Sequence, residues 1–265
     1  MTPKSNLMIG VVVALVIAAS WHIEASPVEF AEGLPRLWQL TEEVLVELTT
    51  VTDSMAYNAV WAMLETIQMA FIGTMVGYAL ALPMSLLASR NLASRWVYVP
   101  MRGLLAMVRT LPSIMWALPF IIMVGPGPFA GILAITMYTL GFVAKLQYES
   151  IEAVDADPVD SASSIGISRL QLIRFVVIPE SASHLLGHLL YMFDYNVRQT
   201  SILGLVGAGG IGFYIITYTK YLQYGKAVFF MLVVLATVLV IDWISVKLRD
   251  RYVVKSQRGV AADVP

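Results

Sequence analysis

Six hydrophobic stretches, each long enough or nearly long enough to cross about 30 Å of hydrocarbon, constrain this chain more than any other feature. They run Leu7 to Ile23, Val60 to Ala88, Val97 to Val124, Phe129 to Tyr148, Ala182 to Val206 and Ala227 to Leu248. Apolar residues are 58% of the 265 and charged ones 13%, with mean hydropathy +0.75. No water-soluble domain solvates such a composition, so the expected class is all-α, a polytopic membrane protein of about six transmembrane helices. The third stretch is the weakest, because Arg102, Arg109 and Pro112 interrupt its first half and leave only Ser113 to Val124 fully apolar.

Net charge of −1 and the lack of a basic run give nucleic acid no footing. With no Cys, disulfides, thiolate chemistry and Cys-ligated metals are excluded. Lys4 before a short apolar run looks like a secretory signal, but the residues before Ser26 are poor for cleavage, so an uncleaved anchor is expected. Residues 1–55 are read as that anchor plus an extracytoplasmic amphipathic segment, 56–250 as the transmembrane domain, and 251–265 as a cytoplasmic tail.

Between the fourth and fifth stretches the charged segment IEAVDADPVDSASSIGISRLQLIRFVVI, Ile151 to Ile178, is followed by Pro179. Local rules make it two short helices joined by a Gly turn. Asp157 is the expected N-cap with Pro158 at the first helical position, and Gly166 supplies a φ > 0 stop. Ser168 and Gln171 have capping-box spacing, and Leu170, Ile173 and Val177 are expected on one apolar face. Such a capped, solvent-facing hairpin between spans presents a grip for another protein.

Thirteen of 17 basic residues gather on one side if both termini and the hairpin lie there, which makes that side cytoplasmic. The segment Glu24 to Asp53, with seven acids against Arg36, then lies outside. Leu37, Leu40, Val44 and Leu48 give it an amphipathic helical face.

Other residues invite chemistry. Gly207, Gly209 and Gly212 in GLVGAGGIG match G-x-G-x-x-G, but without a βαβ unit the four glycines, Gly210 included, read instead as a site of close helix approach or a gate. Asp194 and Arg198, one turn apart in the fifth stretch, are expected to pair or to face a wet path, with Asn196 between them. His184 and His188 have metal-ligand spacing without an evident third ligand, so no metal site is assigned. Glu65 fits a place near the outer interface better than a proton relay. No Ser-His-Asp set, phosphate loop or catalytic carboxylate pair is supported.

The hairpin resembles the Glu-Ala-Ala loop of ATP-binding-cassette importer permeases: Gly166 and Pro179 keep the thirteen-residue spacing, Ala162 keeps the second Ala, and Asp160 and Ser161 replace Glu and the first Ala. Further segments are similar to phosphonate importer permeases: ETIQMAFIGTMVGYALALPMSLLASRN from Glu65, RTLPSIMWALPF from Arg109, GPGPFAGILA from Gly125, SRLQLIRFVVIPE from Ser168 and FDYNVRQTSILGLVGAGGIGF from Phe193. The first sixty residues add little. The resemblance implies a type I importer permease fold in a bacterial inner membrane, working by alternating access. It also implies a second copy of the permease, two cytoplasmic ATPases that bind the ATP and Mg, and an extracytoplasmic phosphonate-binding protein. No cofactor belongs to this chain, which is then no enzyme by itself. Asp157, Asp160, Ala162, Gly166, Ser168, Arg169 and Pro179 would couple to the ATPase. Asp194, Asn196, Arg198 and the four glycines would form the gate or path. An importer of the same architecture for phosphate, phosphite or methionine is the nearer alternative. An ATP-independent channel or secondary transporter is the more distant one.

Overall fold

The computed structural model describes residues 3–23 and 27–249, and all regular structure among them is helical. The tail assigned to 251–265 lies outside the described residues. By contacts the chain divides into two compact units, Met1–Thr50 and Val51–Pro265.

The first unit holds α1 (Pro3–His22) and α2 (Pro27–Leu48). The apolar part of α1, Met8–His22, is shorter than a full span. On α2 the expected apolar face is only partly realised, since Leu40, Val44 and Leu48 are half-buried while Leu37 is exposed.

In the second unit follow α3 (Asp53–Ala88), α4 (Arg95–Thr110), α5 (Ser113–Val124) and α6 (Pro128–Glu152). Next come α7 (Ala156–Ser164), α8 (Arg169–Leu172), a π turn (Ile173–Val177), α9 (Ile178–Leu203), a 3₁₀ turn (Gly204–Val206), α10 (Ile211–Lys220) and α11 (Tyr224–Arg249). Among the described residues three helices, α3, α6 and α11, are long and apolar enough to cross a membrane, and the count is five if each bent pair, α4–α5 and α8–α10, is one span.

The third expected span is therefore not straight: α4 and α5 meet at 85°. Pro112 is the cause. Its ring disfavours helical geometry at Leu111, which sits at φ −90°, ψ 124°. Before the break α4 is strongly amphipathic and buries only Leu105, with Trp96 and Met107 exposed.

Small residues let α3 approach its neighbours. Ala59, Ala62, Thr66, Ala70, Gly73, Gly77, Ala81, Ser85 and Ala88 recur at helical spacing and are all buried. The closest approach is to α6: a Cβ on Gly73 would lie 2.6 Å from Ile135 Cγ2, and one on Gly77 would lie 2.7 Å from the Thr136 carbonyl oxygen. This is the small-xxx-small device of membrane helix packing, in which backbone proximity and dispersion replace the hydrophobic effect. At the same level the buried Asn196 of α9 donates from Nδ2 to Thr74 Oγ1 (2.8 Å) on α3 and to Thr139 Oγ1 (2.7 Å) on α6. Tyr138 and Phe142 of α6 stack with Tyr195 of α9 beside it.

Gly77 faces the Thr136 carbonyl oxygen and the branched Cβ of Thr139, and the backbone atom cannot yield as a flexible side chain would. Gly77→Leu is expected to cost at least the ~1–3 kcal/mol typical of overpacked cores. The check is thermal unfolding of the detergent-solubilised protein, where the midpoint should fall by several degrees. Gly103→Leu, on α4 with nothing within 4 Å of its Cβ, should leave it unchanged.

Candidate functional site

Two regions of the second unit carry the candidate residues. The hairpin begins three residues after α6. Helix α7 starts at Ala156, two residues earlier than expected, so Asp157 lies inside the first turn rather than at the N-cap, and Pro158 is the third helical residue rather than the first. Asp157 there still complements the helix dipole. Asp160 and Ala162 belong to the same helix, with Ala162 half-buried. The side chain of Asp160 lies outside the described ones.

Gly166 turns the chain at φ +76° with nothing within 4 Å of where a Cβ would stand, so its requirement is conformational alone. The capping box is formed: the Gln171 N–H donates to Ser168 Oγ (3.4 Å) and the Ser168 N–H donates to Gln171 Oε1 (2.8 Å). Helix α8 then passes through the π turn, where the Ile178 N–H reaches the Ile173 carbonyl, into α9. The inserted residue breaks the expected apolar face. Val177 is fully buried and Ile173 half-buried, but Leu170 is 76% exposed. With Ile165 and Phe175 also exposed beside Arg169 and Arg174, the turn and second half of the hairpin present an apolar and basic surface. Pro179 is the second residue of α9, immediately after the π turn.

The glycine turn joins α9 to α10. Gly207, Gly209 and Gly210 take φ of +92°, +83° and +70°, conformations that other residues adopt only with strain. Gly212 is needed for space, since a Cβ there would lie 2.1 Å from the Ser201 carbonyl oxygen. The turn is tied to two other elements. Gly127, in the α5–α6 loop, donates to the Gly207 carbonyl (3.0 Å). On α3, Glu65 Oε1 accepts the Gly210 N–H (3.1 Å) and Thr66 Oγ1 accepts the Ile211 N–H (2.9 Å). Adjacent residues of a distant helix thus cap α10, whose N-terminal amides have no partner of their own. Glu65 also lines a cavity of about 280 Å³ with Asn58, Trp61, Gln68 and Tyr214. Sequence reasoning gave Glu65 no such role. Its one signal was a carboxylate followed by Thr in an otherwise apolar helix.

Asp194 and Arg198 form the expected i, i+4 ion pair on α9, with Asp194 buried and the Arg198 side chain 47% exposed. Asn196, between them in sequence, points instead into the α3–α6 contact. Ser113 Oγ donates to Gln199 Oε1 (2.9 Å), joining the start of α5 to this part of α9. His184 is exposed and His188 stands 3.5 Å from Ser150 Oγ through Nε2. Among the described residues no group of three His, Cys, Asp or Glu is placed to hold a metal ion.

Comparison with known proteins gives consistent matches. Residues 81–253 match the family described as binding-protein-dependent transport system inner membrane component. A relative from Stutzerimonas stutzeri, HtxC, provisionally described as a phosphite transport system permease, is 36% identical over 93% of this chain and 86% of its own length. The phosphite transport system permease PtxC of the same organism is 29% identical over 92% and 88%. A phosphate-import permease, PhnE of Mycolicibacterium smegmatis, is 33% identical over 76% of this chain and 38% of its own. Among solved structures, a chain of the MetNI methionine transporter in an inward-facing conformation superposes with TM-score 0.68 at 21% identity, over 76% of this chain and 99% of that one. At that identity the superposition speaks for the fold, that of type I ATP-binding-cassette importer permeases.

The clip on the glycine turn makes its own prediction. Glu65→Ala combined with Thr66→Val removes both acceptors for the α10 amides, contacts worth together roughly 2–4 kcal/mol by ordinary hydrogen-bond magnitudes. Amide hydrogen exchange at Gly210 and Ile211 should accelerate by about tenfold or more, equivalent to losing at least ~1.4 kcal/mol of local protection, while exchange in α6 stays unchanged.

Proposed function

The chain belongs to the family of binding-protein-dependent transport inner-membrane components, the permease subunits of ATP-binding-cassette importers, and from that premise we propose that its cargo is a phosphorus oxyanion, phosphonate or phosphite. The hairpin carries the coupling part of the reading. It is a short helix, a left-handed Gly166 turn and a capping-box helix fused through a π turn to α9. Its exposed Ile165, Leu170 and Phe175 with Arg169 and Arg174 offer a surface for a soluble partner, and its continuity with α9 gives that partner a lever on the membrane domain.

Two cytoplasmic ATPases bind ATP and Mg and engage one hairpin each, in a complex with two copies of this chain. ATP-driven closure draws the hairpins together and turns the helices to face an extracytoplasmic binding protein, and hydrolysis resets them. The permease makes and breaks no covalent bond in the cargo. The hairpin and both termini are on the cytoplasmic side, as the distribution of Lys and Arg favours.

Arg198 supports an anionic cargo. A guanidinium facing lipid near mid-membrane costs about 2.5–3.5 kcal/mol on insertion scales, so an exposed one belongs beside water or a second copy. Tyr191, Arg198 and Ile202 share one exposed face of α9 at helical spacing. Asp194 holds the guanidinium in place and offsets its charge, which keeps the anion from being trapped. The gate is assigned to the glycine turn at Gly207, Gly209, Gly210 and Gly212. Phosphite and phosphate are named for the relatives HtxC, PtxC and PhnE, and this favours a phosphorus oxyanion over methionine.

In the complex reconstituted in lipid, the binding protein loaded with phosphonate or phosphite should stimulate ATP hydrolysis, and methionine should not. Gly166→Val, which forces a β-branched residue to φ > 0, and Asp160→Lys should each abolish that stimulation or release the ATPase. Unchanged assembly and stimulation in both variants would contradict the coupling role. Stimulation by methionine would overturn the cargo.

A further inference from the structure

Three helix segments meet where α6 runs into the hairpin: the C-terminus of α3, the first half of α4 and the C-terminus of α6. Glu152, the last residue of α6, stands among them with its side chain only 10% exposed. Its Oε1 accepts from Arg102 Nη2 and from the Arg90 backbone N–H, and its Oε2 lies 3.3 Å from Arg90 Nε. Arg102 is held in turn: its Nε donates to the Ala88 carbonyl (2.8 Å), and its guanidinium lies 4.4 Å from the centroid of the Tyr148 ring and 5.3 Å from that of Tyr98. One residue before Glu152, the Ile151 carbonyl accepts from Asn91 Nδ2 (3.1 Å). Both carboxylate oxygens are thus engaged by the α3–α4 connection and α4, immediately before the chain leaves for α7.

We infer that Glu152 is a positioning residue for transport, the joint through which displacement of the hairpin is passed to α3 and α4 as well as to its own helix. The inference rests on the coupling role of the hairpin given above. At its other end the hairpin is continuous with α9, so a pull there moves α9 directly. On the α6 side only residues 153–155 intervene, and neither α3 nor α4 is continuous with the hairpin in sequence. At this end of α6 the Glu152 carboxylate, beside the Asn91–Ile151 hydrogen bond, ties them to it with charge-assisted bonds, which are short and directional. The fold has another source of cohesion between α3 and α6 in the Gly73 and Gly77 contacts, so the ionic joint adds a mechanical link to helices already packed. A neutral amide at 152 keeps the shape and weakens the hold on Arg102.

The test uses the full complex of permease, ATPase and binding protein in lipid, with Glu152→Gln and Arg102→Gln. Both variants should assemble with the ATPase and hydrolyse ATP. In both, stimulation by loaded binding protein should fall at least about fivefold, the low end of ordinary coupling free energies, with a matching fall in substrate moved per ATP. Unchanged stimulation in both variants overturns the inference. Failure of both to assemble also overturns it, because the network then serves folding and not transmission. Gly166→Val, measured alongside, separates the premises. Intact stimulation there removes the hairpin reading itself, whereas lost stimulation there with intact stimulation in Glu152→Gln removes the joint alone.

Discussion

Close contact between α3 and α6 through Gly73 and Gly77 is the constraint on which the rest of the membrane unit depends. In hydrocarbon, burial of apolar side chains gives no preference for one helix neighbour over another, so cohesion comes from how near two backbones can come. Residues without bulk along one face of a 36-residue helix settle that for α3. The approach also makes polar bonds possible: the Asn196 amide reaches Thr74 and Thr139 at once because those two helices are so near. From this packed pair the two candidate regions extend in opposite directions along α3. Glu65 and Thr66 hold the glycine turn toward its start, and Ala88 meets the Arg102–Glu152 network at its end.

The assignments that were legible in the sequence are those governed by short-range chemistry. Gly166 had to turn the chain, and Ser168 with Gln171 had to cap the following helix, because both follow from neighbours within a few residues. Composition made the chain a helical membrane protein for the same reason: with no water, the backbone must satisfy itself. Pro112 marked the break in the third stretch, although its 85° angle was not readable from a local rule.

Features that depend on residues far apart were hidden. Glu65 lies 145 residues before Gly210, and nothing in its own surroundings announces an acceptor for that amide. Glu152 meets Arg90 and Arg102 from 62 and 50 residues away, a pairing that only the helix packing creates. The π turn at Ile173–Val177 misled a reading by 3.6-residue spacing, since one added residue rotates Leu170 away from the face shared by Val177. By its place in the sequence alone Asn196 groups with Asp194 and Arg198 in the gate or path. Its hydrogen bonds to Thr74 and Thr139, which hold three helices together, come from residues 122 and 57 positions away.

The central claim, that the hairpin is the place where a soluble ATPase grips this permease, is open to a direct physical measurement. The chain contains no Cys, so a single thiol placed by Leu170→Cys on the exposed second helix reports from one site only. With a photoactivated cross-linker attached to that thiol, the assembled complex should yield an adduct between permease and ATPase. An intact, active complex that gives adducts with the binding protein alone, or none with the ATPase, would contradict the account.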